Sequence, residues 1–201
     1  MTAKYHTSDK TIRTTLIREL QEKYSQDQDT AIIPEFTLPH GSARVDIAVI
    51  NGVMHGYELK SDIDNLLRLT SQMGAYNLIF DKVTLVVGKS HLVDALRLIP
   101  EWWGITVAKD IDSEFEPILI PVRTARHNPD QDILTIANIL WKDEAIAILD
   151  NLGEAKNLGS KPKTFICQKL IDTLSEHDLK KHVKKSLISR MSNSCYRPVL
   201  G

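Results

Sequence analysis

The chain has 201 residues, 42% of them hydrophobic and 25% charged, with a formal net charge of −1. That composition excludes a fibrous or wholly disordered chain and suits one compact domain with at most a small appendage. No apolar run approaches the roughly 20 residues of a membrane span, Met1 to Lys10 lacks the apolar core of a signal peptide, and two cysteines, Cys167 and Cys195, are too few for a disulfide framework or a cysteine zinc site. The expectation is a cytoplasmic protein with no membrane partner.

The near-zero charge hides an asymmetry. Residues 1–154 carry a balance of −8 and residues 155–201 a balance of +7. This division suggests an acidic main body and a basic tail region. In chain order, Ile12, Leu16, Ile17, Leu20 and Tyr24 recur at helical spacing, so residues 9–24 read as a helix with Ser8 as N-cap. Residues 30–38 read as a strand. Arg44 to Ile50 alternates, with Val45, Ile47 and Val49 on one face, and Val53 to Lys60 returns after the Asn51-Gly52 turn signal. Residues 62–79 read as a helix and Lys82 to Gly88 as a buried central strand. A short helix at 90–98 and strands near 105–108 and 117–121 follow. The breaker-rich stretch Arg123 to Asp130 marks a boundary, placing a core at 1–126 and a helical, basic region at 127–201 with helices near 131–150, 163–175 and 178–190.

The chemistry-bearing residues fall on consecutive strands: Glu35, Asp46, Glu58 and Lys60. Strand side chains alternate faces, so Glu58 and Lys60 share one face and Leu59 takes the other. A glutamate and a lysine on a mostly apolar strand are costly to bury without purpose. A divalent ion supplies one, because hard cations seek carboxylate and carbonyl oxygens.

The hairpin register decides whether these groups can meet. A two-residue turn at Asn51-Gly52 makes paired positions sum to 103 and puts Asp46 opposite Tyr57, on the other face from Glu58. A three-residue loop with Gly52 left-handed, taken to move the sum to 102, or a bulge at Gly56, brings Asp46 and Glu58 to one face. An irregularity of this kind is therefore expected. Asp64, Arg68, Gln72 and Tyr76, spaced by four, form a polar row on the next helix, opposite Ile63, Leu66, Leu67, Thr70 and Met73. Such a row either flanks the carboxylates or is an ordinary solvent-facing stripe.

Asp46 followed by Glu58-Leu59-Lys60 within an αβββαβ order resembles the PD-(D/E)XK, or restriction-endonuclease-like, nuclease superfamily. Gln72-Met73-Gly74-Ala75-Tyr76 is similar to the QxxxY element of RecB-type members, and the stretch from Glu35 to Tyr76 with Trp102-Trp103-Gly104 looks closest to small stand-alone bacterial members near a DNA-repair group. The likeness covers about residues 10–110, and Val45 stands where the motif often has proline. It implies an α/β fold with a mixed central sheet, a Mg²⁺ or Mn²⁺ cofactor, and hydrolysis of phosphodiester bonds, with DNA as the expected substrate in a repair or phage-defence setting. Asp46, Glu58 and the Leu59 carbonyl would bind the metal, and Lys60 would position water or stabilise charge on the phosphate. Glu35 would assist a second metal or orient water, while Gln72 and Tyr76 would brace the site or touch the strand.

Arg68 at the site and Lys180, Lys181, Lys184 and Lys185 in the basic tail are the expected nucleic-acid contacts. Superfamily members that have lost activity leave a second reading open: a salt-bridged Glu58–Lys60 cluster in a nucleic-acid-binding or protein-interaction module. The oligomeric state stays open, a homodimer among the options.

Gly88-Lys89-Ser90 is not a Walker A loop, since Val83 stands where its first glycine belongs. Trp102 and Trp103 read as packing residues.

Overall fold

The computed structural model describes residues 7–110 and 116–192. Cys195 and the first residues of the chain lie outside them. The elements run α1 (Asp9–Lys23), β1 (Ala31–Thr37), β2 (Arg44–Ile50), β3 (Met54–Lys60), α2 (Leu69–Asn77), β4 (Lys82–Gly88), α3 (Leu92–Leu98), β5 (Gly104–Lys109), β6 (Ile118–Arg123), α4 (Ile133–Ala137), α5 (Lys142–Asn151), α6 (Lys163–Thr173) and α7 (Glu176–Ser192). The expected α/β class with a mixed sheet is what the chain adopts. Its six strands lie in sequence order, with β3, β4 and β5 parallel and the outer pairs antiparallel. Among the described residues, no helix is long and apolar enough to cross a membrane.

The sheet separates two apolar layers. α1 closes one side, where Ile12, Leu16 and Leu20 pack on Ile47, Val49, Leu59 and Val86. Ser8 begins that helix as expected, its hydroxyl accepting from the Thr11 amide at 3.2 Å. The other side carries α2 to α7. Ile136, Leu149, Leu170 and Leu187 share one continuous core there with Ile33, Leu85 and Trp103. The four helices α4 to α7 between residues 133 and 192 complete the core of the sheet rather than forming a core of their own. The first of those helices breaks in two: α4 ends at Ala137 and α5 starts at Lys142, so the expected single helix over 131–150 is not formed.

Three differences from the sequence expectation bear on the site. First, the β2–β3 loop holds three residues, 51–53, and Ile50 pairs with Met54. Paired positions sum to 104, not 102 or 103, so the even parity needed for Asp46 and Glu58 is present with the shift in the opposite direction. Gly52 is not left-handed; the loop is closed instead by the Asn51 amide on the Val53 carbonyl at 3.0 Å and the Val53 amide on Asn51 Oδ1 at 3.1 Å.

Second, Val45 does not share a face with Ile47 and Val49. It joins the α2–α7 side, while they join the α1 side. The same change of face occurs in β1, where Ile33 and then Phe36 both reach the α2–α7 side. Between them Glu35 takes a left-handed φ of 51°, a conformation that strains a residue with a Cβ and persists only where its surroundings hold it.

Third, residues 61–68 are turns rather than the first half of a helix, which starts at Leu69. Asp64 accepts from the Ser61 amide at 2.8 Å and its hydroxyl at 2.6 Å, an arrangement that competes with helix. Ile63 and Leu67 are then 72% and 85% exposed instead of lining an apolar face.

Candidate metal and phosphodiester site

The β2–β3 ladder stops at Ile47–Tyr57, although β1 stays paired with β2 down to Arg44. The two strands therefore part at the end away from their loop. Asp46 sits in the fork. Its Oδ2 accepts the Leu59 amide at 2.8 Å, replacing the ladder bond that a longer pairing would have made.

Glu58 is the next residue along β3, 1% exposed. Its Oε1 accepts from the Lys60 ammonium and from Gln72 Nε2 at 2.7 Å. The Tyr76 hydroxyl stands 2.6 Å from its Oε2 and 2.8 Å from the Arg44 carbonyl, and accepts from Gln72 Nε2 at 3.2 Å. Gln72 and Tyr76 are one helical turn apart on α2, which is why this helix brings both to one carboxylate. Tyr76 is fully buried and packs on Trp103, ring centroids 6.1 Å apart, and on Phe80 at 6.0 Å.

Burial first, and the Asp46 charge second, push the Glu58 carboxyl above the usual carboxylate range, against the opposing pull of Lys60 and Tyr76. Asp46, Glu58, Leu59, Lys60 and Gln72 line a pocket of about 360 Å³, with Asp64, Arg68 and Arg44 toward its rim. Gln72 Oε1 is buried there without a protein partner.

Of the expected site residues, Asp46, Glu58, Leu59, Lys60, Gln72, Tyr76 and Arg68 are brought together. Glu35 is not part of the pocket lining. Its carboxylate is held between Arg13 Nη1 and Arg44 Nε, each at 2.7 Å. The polar row also changes: Asp64 and Arg68 precede α2, and Tyr76 is core rather than stripe.

Among the described residues, the α7 lysines lie away from the site. Lys184 donates to the Gly52 carbonyl at 2.7 Å, at the loop end of the hairpin, and six residues of strand put Glu58 about 20 Å away. Lys180 is held by Glu176 and Gln131, which leaves Lys181 and Lys185 as the exposed pair on α7.

The residue missed by sequence reasoning is Arg13. Its Nη2 meets Asp46 Oδ1 at 2.6 Å and its Nη1 the Asp46 carbonyl at 3.0 Å; Asp9 binds the same group at 3.2 Å. A usable signal was present, since position 13 follows Asp9 by one turn and adjoins the buried Ile12–Leu16 stripe of α1.

A family model described as Bacteriophage P4 protein cII matches residues 3–197. The chain belongs to that family. Protein cII of Enterobacteria phage P4 is 36% identical over 77 residues, which make up 38% of this chain and 29% of that relative, so the match spans less than a third of its length. Among solved structures, a Silicibacter pomeroyi protein titled SPO1766, of unknown function, aligns over 92% of this chain and 94% of its own, with a TM-score of 0.38 and 14% identity. At that score the likeness bears on neither fold nor function.

Whether the pocket suits a divalent ion rests on its donors. Two carboxylates and the Leu59 carbonyl are hard oxygen donors of the kind Mg²⁺ and Mn²⁺ accept. The like-charge push of Asp46 on Glu58 is what a cation would relieve, and the orphaned Gln72 Oε1 is placed to accept from a water. The residues fit such an ion. Among the described residues no group of three or more His, Cys, Asp or Glu forms a metal cluster, so water and substrate oxygens would complete the coordination.

Proposed function

We propose that this cII-family protein is a metal-dependent nuclease of the PD-(D/E)XK kind, hydrolysing phosphodiester bonds in nucleic acid, DNA foremost. The observation that carries the reading is the meeting of Asp46 and Glu58 at the fork of β2 and β3, with Lys60, Gln72 and Tyr76 converging on the same carboxylate. Asp46, Glu58 and the Leu59 carbonyl would hold Mg²⁺ or Mn²⁺. Such an ion polarises a phosphoryl oxygen and lowers the pKa of bound water.

The chain's own groups do the rest. Gln72 and Tyr76 fix both oxygens of Glu58. Gln72 Oε1 would accept a hydrogen bond from the attacking water and so orient it, and the Lys60 ammonium would offset charge growing on the phosphate. Arg44 and Arg68 at the rim draw in the diester anion. Glu35 anchors Arg13 and Arg44 instead of joining the chemistry.

A second reading is favoured by one observation: Asp46 and Glu58 already have cationic partners in Arg13 and Lys60. A cluster neutralised from within suits a nucleic-acid-binding or protein-interaction module without catalysis. Purified protein incubated with single-stranded, duplex and branched DNA and with RNA separates the two. The nuclease reading expects cleavage only with Mg²⁺ or Mn²⁺, lost in Glu58→Gln and Lys60→Ala. Binding without cutting on every substrate favours the second reading.

A further inference from the structure

We infer that Arg13 is the resident counter-cation of this pocket and competes with a divalent ion for Asp46 Oδ1, so that loading of metal requires the guanidinium to withdraw onto Glu35 and Asp9. The inference rests on the metal reading above and adds a gate to it.

Asp46 has two oxygens, and Oδ2 is committed to the Leu59 amide at 2.8 Å. Oδ1 has no backbone donor among the described residues, and Arg13 Nη2 stands on it at 2.6 Å. A divalent ion and a guanidinium on one oxygen repel each other at a few ångströms, inside a half-buried site where water screens poorly. The guanidinium and the ion therefore compete for that oxygen.

Arg13 is built to leave without losing its compensation. Its fork already spans three carboxylates: Asp46, Glu35 at 2.7 Å and Asp9 at 3.2 Å. Giving up Asp46 keeps two of them. Glu35 is held ready by its left-handed backbone and by Arg44 on its other oxygen, so it does not follow Arg13 into the pocket. Release by deprotonation is closed off. Burial lowers the proton affinity of Arg13, but the charge of Asp46 and the bonds to Asp9 and Asp46 outweigh it, and the group stays cationic. The gate is geometric, a small displacement of the first turns of α1 or of the Arg13 side chain.

The test is titration calorimetry of Mn²⁺ into wild type, Arg13→Gln, Arg13→Lys and Asp46→Asn, with the melting temperature of each measured with and without Mn²⁺. Arg13→Gln keeps the side chain polar while removing the charge, and is expected to bind Mn²⁺ at least tenfold more tightly than wild type, with a larger Mn²⁺-dependent rise in melting temperature. Arg13→Lys retains a cation but loses the fork, and is expected to fall between the two. It keeps the question answerable should Arg13→Gln fold poorly. Asp46→Asn is expected to abolish binding. Mn²⁺ binding by wild type with equal or weaker binding by both Arg13 variants overturns the gate and leaves the metal site standing. Absence of binding in wild type and in both variants overturns both. Binding by the variants alone upholds Arg13 as the competitor for Asp46 and overturns the metal-dependent nuclease reading of the unaltered chain.

Discussion

Tyr76→Phe isolates the most connected group of the site. The ring stays on Trp103 and Phe80, so packing is conserved and only the hydroxyl is removed. That hydroxyl stands between Glu58 Oε2 and the Arg44 carbonyl and accepts from Gln72. Removing it leaves a buried acceptor without a donor, which costs about 1–3 kcal/mol. Taking about 2 kcal/mol, a chain of this size loses about 4–8 °C of melting temperature. Tyr76→Leu, which also removes the ring, should cost about 3–5 kcal/mol.

A second readout follows from electrostatics. The Tyr76 hydrogen bond pulls the Glu58 carboxyl down against its burial, so its loss lets that carboxyl rise further. The pH at which Mn²⁺ binding reaches half its maximum should move upward in Tyr76→Phe. Differential scanning calorimetry and Mn²⁺ titration between pH 5 and pH 8 measure the two effects. A melting temperature within 1 °C of wild type, with an unmoved Mn²⁺ profile, refutes the placement of the hydroxyl at the carboxylate.

Three further outcomes are expected. Lys60→Met strands a buried Glu58 and should cost about 3–5 kcal/mol, with Glu58→Gln in the same chain restoring much of it; urea unfolding of the four proteins of that cycle gives the coupling. Gly88→Ala drives a Cβ to 2.5 Å from Asp62 Oδ1 and 2.6 Å from the Asp62 amide, breaking the carboxylate that ties Thr7 to Ser90, at about 1–3 kcal/mol in a thermal melt. His55 is pushed down to about 3 by burial and then by the Lys82 and Lys23 charges. Its folded value lies below its unfolded value, so the native state holds it neutral. That stability is complete above about pH 6.5 and is lost, by about 1.4 kcal/mol per unit, as the pH falls toward 3. Urea unfolding from pH 7 to pH 4.5 should show this slope flattened in His55→Gln.

Much of the arrangement was readable from local pattern. The strands Arg44–Ile50 and Lys82–Gly88 match the observed ones residue for residue, because alternation and a β-branched run are strong, short-range signals. The Glu58–Lys60 pair shared a face for the same reason. Where pattern reading failed, a side chain had taken over a backbone role. Asp64 bonded to Ser61 unmade the first half of the expected helix, and the left-handed Glu35 coincided with the change of face that misplaced Val45. Lys184 carries a charge that composition counts as free, yet it is bonded to the Gly52 carbonyl, a contact 132 residues distant in sequence. Arg13 escaped notice because spacing along α1 points only to Asp9, while Glu35 and Asp46 come from β1 and β2.

The most direct measurement is a crystal of the protein grown or soaked in Mn²⁺ and recorded at a wavelength where manganese scatters anomalously. The account predicts one strong peak within coordination distance of the carboxylates of positions 46 and 58, absent from Asp46→Asn crystals treated alike. A density map in which the pocket stays without metal at saturating Mn²⁺, with Arg13 still seated on Asp46, contradicts it.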